Sequence, residues 1–313
     1  MIQEMKRQHP DQSRQELCRS LGMSRQAHHK HRSRKQRVLQ GHEEVVQRVR
    51  ELRSRMPKLG GVKLYNELQQ EIKLLPVPFG RDQFFGLLSD RGLLIRKRRR
   101  QVRTTMSRHG LPTYPDLIKG LTISRPGQVW VSDITYWRVE QGFYFIFLVT
   151  DACSRKIIGY HVSLSMDGAH AMAALHMAMR HSDHSLQGIV HHSDRGSQYC
   201  YSRYVNALKE QGMLVSMTED SDPRDNAIAE RVNGILKNEM LAHHKVQNIA
   251  QAKALLHEAI HIYNEERPHL SCDMLKPSQA HTLDHSLKRR WRTNCRSVNH
   301  QQEEEVVVNP RQE

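Results

Sequence analysis

The spacing of apolar residues changes once along the chain. Between residues 11 and 98 they recur every three or four positions, the period of helices. Beyond Pro126 they gather in strand-length runs rich in Val, Ile, Tyr and Phe. In the first part, Ser13 and Glu16 make the S-x-x-E signature of a capping box. It opens a helix that carries Leu17 and Leu21 and ends at Gly22. Ser24 caps a second helix through Gln26, His29 and His31, which presents Arg25, Lys30, Arg32 and Arg34. Two helices around a glycine turn suit a DNA-reading helix-turn-helix, and equally an ordinary basic hairpin. Val45, Val49, Leu52 and Met56 predict a helix stopped by Pro57, and Leu64, Tyr65, Leu68 and Ile72 a second one after Gly60-Gly61. Phe84, Leu87 and Leu88 mark a third, closed by Gly92, with a short strand expected at Leu93-Leu94-Ile95.

Residues 101–125 are polar, contain Pro112, Pro115 and Gly120, and read as a linker. Residues 128–137, 142–151 and 155–163 predict a three-strand meander, followed by a helix over 167–181 and a fourth strand over 188–192. A helix over 201–211, a strand over 214–217 and helices over 225–241 and 249–263 complete the pattern. Antiparallel strands followed by alternating helices and strands predict an α/β fold with a mixed central sheet. The expected organisation is a helix-turn-helix-like segment over 1–40, a second helical DNA-binding unit over 41–100 and the linker over 101–125. Beyond these come a catalytic core over 126–245, a helical extension over 246–300 and a disordered tail over 301–313.

Charge sharpens this division. Of the formal net charge of +15, residues 1–110 carry +16 and residues 111–313 carry −1. A basic block beside a near-neutral one points to a polyanion-binding module, although basic surfaces also serve solubility. Arg96, Lys97, Arg98, Arg99 and Arg100 form a run that cannot enter a core and suits phosphates. The five cysteines, Cys18, Cys153, Cys200, Cys272 and Cys295, form no CxxC pair and no even framework, which suits a reducing compartment. No stretch approaches the apolar length of a membrane span. A cytoplasmic, nucleoid-associated protein is expected.

Three acidic residues stand out by context. Asp133 interrupts the strand WVSDITY, Asp194 ends the fourth strand in VHHSDRGSQY, and Glu230 lies on a helix in DNAIAERVNGILKNE. If they converge, each close pair costs about 3 kcal/mol at 5 Å and an effective dielectric of 20, and cations remove that cost. An all-oxygen set selects Mg²⁺ or Mn²⁺. Two such ions suit in-line phosphoryl displacement without an activated Ser or Cys.

These motifs resemble those of the DDE transposases of bacterial insertion sequences, of the integrase-core type encoded in a second reading frame, and more remotely retroviral integrases. WVSDITY resembles the first-aspartate motif, HHSDRGSQY the second, and DNAIAERVNGILKNE the glutamate motif, with 35 residues between Asp194 and Glu230. Tyr263-Asn264, Arg267-Pro268-His269 and Leu275-Lys276-Pro277 resemble the closing segments. The resemblance implies an RNase H-like fold, two Mg²⁺ or Mn²⁺ ions on Asp133, Asp194 and Glu230, and Lys237 against DNA phosphate. It also implies terminal inverted repeats and target DNA as partners, a homo-oligomer, and an upstream-frame partner or fusion. Helical spacing puts Asn226, Asn233 and Lys237 on the face of Glu230, as DNA-contact candidates. On spacing alone a solvated helix cation is the better reading of Lys237, and the resemblance is what favours the phosphate contact.

His192 shares a strand side with Asp194 and is a candidate site neighbour, or else a satisfied structural histidine. Cys18 with His28, His29 and His31 lacks a second cysteine, so no zinc module is expected. The loop TEDSDPR over 218–224 is more acidic than the family pattern, which puts target-strand contacts there in doubt. Two other functions fit parts of the pattern: a hydrolysing RNase H-type nuclease and a non-catalytic DNA-binding regulator. The first leaves the basic N-terminal units without a purpose, and the intact triad opposes the second.

Overall fold

β-branched and aromatic side chains after Pro126 build a five-stranded mixed sheet: β1 (Val129–Val139), β2 (Gly142–Asp151), β3 (Ile157–Ser163), β4 (Val190–Ser193) and β5 (Leu214–Met217). The spatial order is β3-β2-β1-β4-β5. β1, β2 and β3 pair antiparallel, and β4 and β5 continue the sheet parallel to β1. The computed structural model describes residues 2–95, 110–140, 142–219, 226–242, 244–285 and 287. The run Arg96 to Arg100, most of the acidic loop and the tail from residue 301 lie outside the described residues.

Helices cover both faces of the sheet, the RNase H-like layout that the motifs imply. On one face α6 (Gly168–Arg180), α7 (Ser197–Cys200) and α8 (Ser202–Glu210) bury Ala174, Leu175, Tyr204 and Leu208 against Trp130, Phe147 and Val149. Gly159 is needed there, because a Cβ would collide with the carbonyl of Ala174. On the other face lie α9 (Ala227–Ile235), a π-helical turn (Leu236–Leu241) and α10 (Ile249–Glu265). Val232, Leu236, Leu256 and Tyr263 pack there with Trp137, Ile146 and Leu148. α11 (Pro277–His281) closes the described chain.

The hairpin between β2 and β3 turns around a fully buried carboxylate. Asp151 accepts hydrogen bonds from the N–H groups of Gly127 (2.8 Å), Cys153 (3.1 Å) and Ser154 (2.8 Å) and from the Ser154 hydroxyl (2.8 Å). Four donors replace the water that burial removes.

Before the sheet come α1 (Ile2–Gln8), α2 (Arg14–Ser20), α3 (Arg25–Arg55), α4 (Gly61–Leu74) and α5 (Arg81–Asp90). The capping box at Ser13 forms with both bonds, Gly22 takes φ +68°, and the Ser24 hydroxyl accepts from Ala27 N–H at 3.0 Å. The two helices expected on either side of residue 40 are one: α3 runs through it unbroken. No proline stands between Arg25 and Met56, so nothing forces the helical ladder to stop, and it runs on through the capping-type residues Ser33, Gln36 and Gly41.

The strand expected at residues 93–95 does not form. Leu93 N–H returns to Leu88 O at 2.7 Å and Leu93 O accepts from Arg53 at 2.6 Å, so its backbone groups are already committed. Part of the stretch read as linker, residues 110–125, packs on the sheet. Met217 N–H donates to Pro115 O (3.3 Å), Leu117 N–H donates to Ser216 (2.8 Å), and Ile118 and Ile123 cover Val129 and Val131. No described helix is long and apolar enough to cross a membrane.

Candidate active site

β4 stops at Ser193, aligned with Ser132 of β1. Asp194 and Asp133 are the next residues on these two parallel neighbours. Both therefore lie at the carboxyl end of β4, where β1 runs on without β4 beside it. The loss of that neighbour explains how an aspartate is tolerated inside β1. Both residues are half-buried. Asp133 Oδ1 accepts from Ile134 N–H at 2.9 Å and Oδ2 from the Asn233 amide at 2.6 Å; Asp194 Oδ1 accepts from Gly196 N–H at 3.0 Å.

Glu230 is carried by α9, and two asparagines fix that helix to β1. Asn226 donates to Ser132 O at 3.0 Å and Asn233 to Asp133. They stand four residues before and three after Glu230, so they flank it on one helix face. That face is thereby turned towards β1, with the Glu230 side chain exposed. Expected as DNA contacts, Asn226 and Asn233 are instead buried, and their amides are held by the strand.

The donor set is all oxygen, the chemistry of a hard divalent cation, and each carboxylate retains lone pairs beyond the bonds above. Among the described residues no three His, Cys, Asp or Glu side chains are gathered closely enough to hold an ion.

The two histidines before Asp194 diverge as strand alternation requires. His191 is fully buried, with Nε2 2.8 Å from Ser132 Oγ and 3.0 Å from the Tyr204 hydroxyl. Burial, reinforced by His192, pushes its pKa down to about 3, so it is neutral. Tyr199 and Tyr204 lie in the same layer. Burial first, then Tyr204 and the charges of Asp133 and Asp194, holds the Tyr199 phenol well above its usual pKa. His192 is also fully buried, and its Nδ1 lies 2.9 Å from Ser216 Oγ and 3.9 Å from Asp116. It ties β4 to β5 and to the segment around residue 116, which is the structural alternative for this residue.

Lys237 is half-buried at the start of the π turn. The single helix expected over 225–241 divides there, because a π turn inserts an extra residue and rotates the remaining helical residues about the axis. Met240 and Leu241 stay buried while Glu239 reaches Arg267. Arg25 and Lys30 are exposed on α3, five residues apart and so on different sides of it. Arg96, Lys97, Arg98, Arg99 and Arg100 are outside the described residues.

Sequence reasoning missed a buried charge cluster behind α9. Arg267, only 1% exposed, forms a two-pronged pair with Glu239, both bonds 2.9 Å. Lys63 of α4 is buried beside it. Burial first, then Arg267, lowers its pKa to about 7, with Glu239 opposing. The only signal was Arg267 in the closing motif, which names the residue and not its partner.

Comparison with known proteins agrees with this architecture. The sheet and its flanking helices are those of an integrase core: two family models described as "Integrase core domain" match residues 123–223 and 211–277. The chain is 33% identical over 222 residues to the insertion element IS600 31 kDa protein of Shigella sonnei, covering 70% of this chain and 81% of that one. It is 31% identical over 214 residues to transposase InsF of IS3A from Escherichia coli (68% and 74%) and 35% identical over 181 residues to the IS629 transposase of Shigella sonnei (58% and 60%). The HTLV-2 integrase catalytic core domain in complex with magnesium superposes with a TM-score of 0.39 at 16% identity, over 50% of this chain and 97% of that one. The chain belongs to the insertion-sequence transposases built on an integrase core, enzymes of the polynucleotidyl transferase type.

Proposed function

We propose that this transposase cuts and joins DNA at Asp133, Asp194 and Glu230, which together hold divalent cations, two Mg²⁺ or Mn²⁺ ions. The observation that supports this is the pinning of α9: Asn226 and Asn233 bind the helix that carries Glu230 to β1 at Ser132 and at Asp133 itself. When bound, such a pair of cations supplies the charge that stabilises attacking and leaving oxygens at a phosphodiester. The protein's own part is positional. The N–H groups of Ile134 and Gly196 and the Asn233 amide orient the two aspartates, and His191 with Tyr204 braces Ser132 from behind. Water frees a 3′-hydroxyl in the first step, and that hydroxyl attacks target DNA in the second.

Residues 1–40 and 41–100 are proposed to bind the terminal inverted repeats, Lys237 to meet DNA phosphate beside the cut, and residues 126–245 to form the catalytic core extended by 246–300. Assembly as a homo-oligomer on paired ends, with an upstream-frame partner or as a fusion to it, and a nucleoid-associated cytoplasmic location belong to the same proposal. The test is cleavage and strand transfer with Mg²⁺ by Asp133→Asn, Asp194→Asn and Glu230→Gln. Each is expected to abolish both steps and leave DNA binding intact. A variant that keeps near-normal activity would remove its residue from the site.

A further inference from the structure

The N-terminal end holds a cavity that the catalytic proposal does not use. It is a half-open hollow of about 230 Å³ where α1, α2 and α3 meet, and its lining is Ile2, Lys6, Arg7, Arg14, His28 and Arg32. Four Lys or Arg side chains surround one hollow, and no carboxylate lines it. Beneath it, Ile2, Leu17 and Cys18, with Met5, Leu21 and Met23 against them, form a small core of their own that holds α1 to α2. Lys6 is held in place by bonds from Nζ to Pro10 O (2.5 Å) and Gln12 O (2.7 Å), and Arg7 has Glu4 at 3.8 Å. Arg14 and Arg32 are exposed. Like charges gathered on a shared concavity repel, and a bound anion reverses the sign of that interaction.

We infer that this cavity seats one phosphate of the DNA backbone, an inference that rests on the assignment of residues 1–40 to DNA. Helix geometry supports the division of labour. His28 and Arg32 are four apart on the cavity side of α3, whereas Lys30 and Arg34 project from its far side. The cavity thus fixes the register of α3 on the duplex, and the opposite face is left to read bases. From Cys18 to His42 the chain has no Asp or Glu, so nothing on this part of α3 opposes a polyanion.

The experiment titrates fluorescent duplex carrying the element's terminal repeat with the full chain at several salt concentrations. Arg14→Ala and Arg32→Ala are compared with the surface control Arg203→Ala. A single seated phosphate predicts that each cavity variant, and the double variant no further, flattens the log–log salt slope by about 0.9, with affinity falling roughly tenfold. Discrimination between terminal-repeat and unrelated duplex is unchanged, and Arg203→Ala keeps the full slope. Inorganic phosphate, at matched ionic strength, competes with duplex for the wild type and not for the double variant. An unchanged slope in both cavity variants overturns the seat, as does lost sequence discrimination, which marks a base contact. Phosphate competition without any change in slope also overturns it, since the cavity then takes free phosphate and not DNA. If instead the wild type itself shows a flat slope, the assignment of the N-terminal region to DNA fails, and the carboxylate variants still judge the catalytic proposal separately.

Discussion

The N-terminal helices and the sheet core handle charge in opposite ways. On α3 and α4, Arg48 pairs with Glu51 at 2.5 Å and Glu71 at 3.1 Å, with all three side chains about half exposed. In the core, Arg267 pairs with Glu239 at 1% exposure, and Asp151 is buried outright among four donors. The first half of α3 is polar on every side and almost wholly exposed, whereas α9 and α10 bury an apolar stripe against the sheet. Surface charge is free to meet an external polyanion. In these two core cases the buried charge is matched inside and serves to lock elements at fixed distances, which a catalytic centre requires. The same residue type therefore predicts binding in one half of the chain and architecture in the other.

The contrast breaks most sharply at Arg267. Arg267→Ala leaves Glu239 facing an empty partner position and is expected to cost about 3–5 kcal/mol. Arg267→Met with Glu239→Leu should recover most of that. Chemical denaturation reads both, and a single variant as stable as wild type would place this pair in the surface class.

Lys63 sits where the two halves meet. Its folded pKa, about 7, lies below the unfolded value near 10.4. The unfolded chain therefore holds more protons between roughly pH 7 and 10, and this residue makes stability rise with pH across that window. Lys63→Met is expected to stabilise the protein by about 1–3 kcal/mol at pH 7, with the advantage shrinking by pH 10. A pH-independent difference in denaturation midpoint contradicts the burial of that amine.

Lys237 tests whether a half-buried cation of the core can act as a surface one. Lys237→Ala should slow strand transfer by about ten- to a hundredfold, the worth of a charge-assisted bond. The salt slope of overall DNA binding should hold, and Lys237→Arg should retain part of the rate. Equal rates for Ala and wild type at saturating and at sub-saturating DNA return it to a solvated helix cation. The smallest effect belongs to Arg48→Ala, expected within about 1 kcal/mol because its pairs are exposed. A loss as large as that of Arg267 removes the distinction between the two regions.

Local chemistry was legible without the fold. Ser13 with Glu16, Gly22, Ser24, Gly92 and the strand-forming runs after Pro126 specify their elements through contacts within a few residues, and the structure shows each of them. The motifs around Asp133, Asp194 and Glu230 likewise declared the family from types and intervals. Chain-distant pairings were not legible. Asn233 reaches Asp133 across 100 residues, Arg267 reaches Glu239 across 28, and Leu117 reaches Ser216 across 99. An asparagine on a helix face looks the same whether DNA or a strand lies opposite. The packing of residues 110–125 and the burial of His192 were decided in the same way. Sequence alone determines what each residue can donate, accept or hide, because those properties are local. Which partner takes the offer depends on where the sheet brings distant segments, and only the tertiary structure contains that.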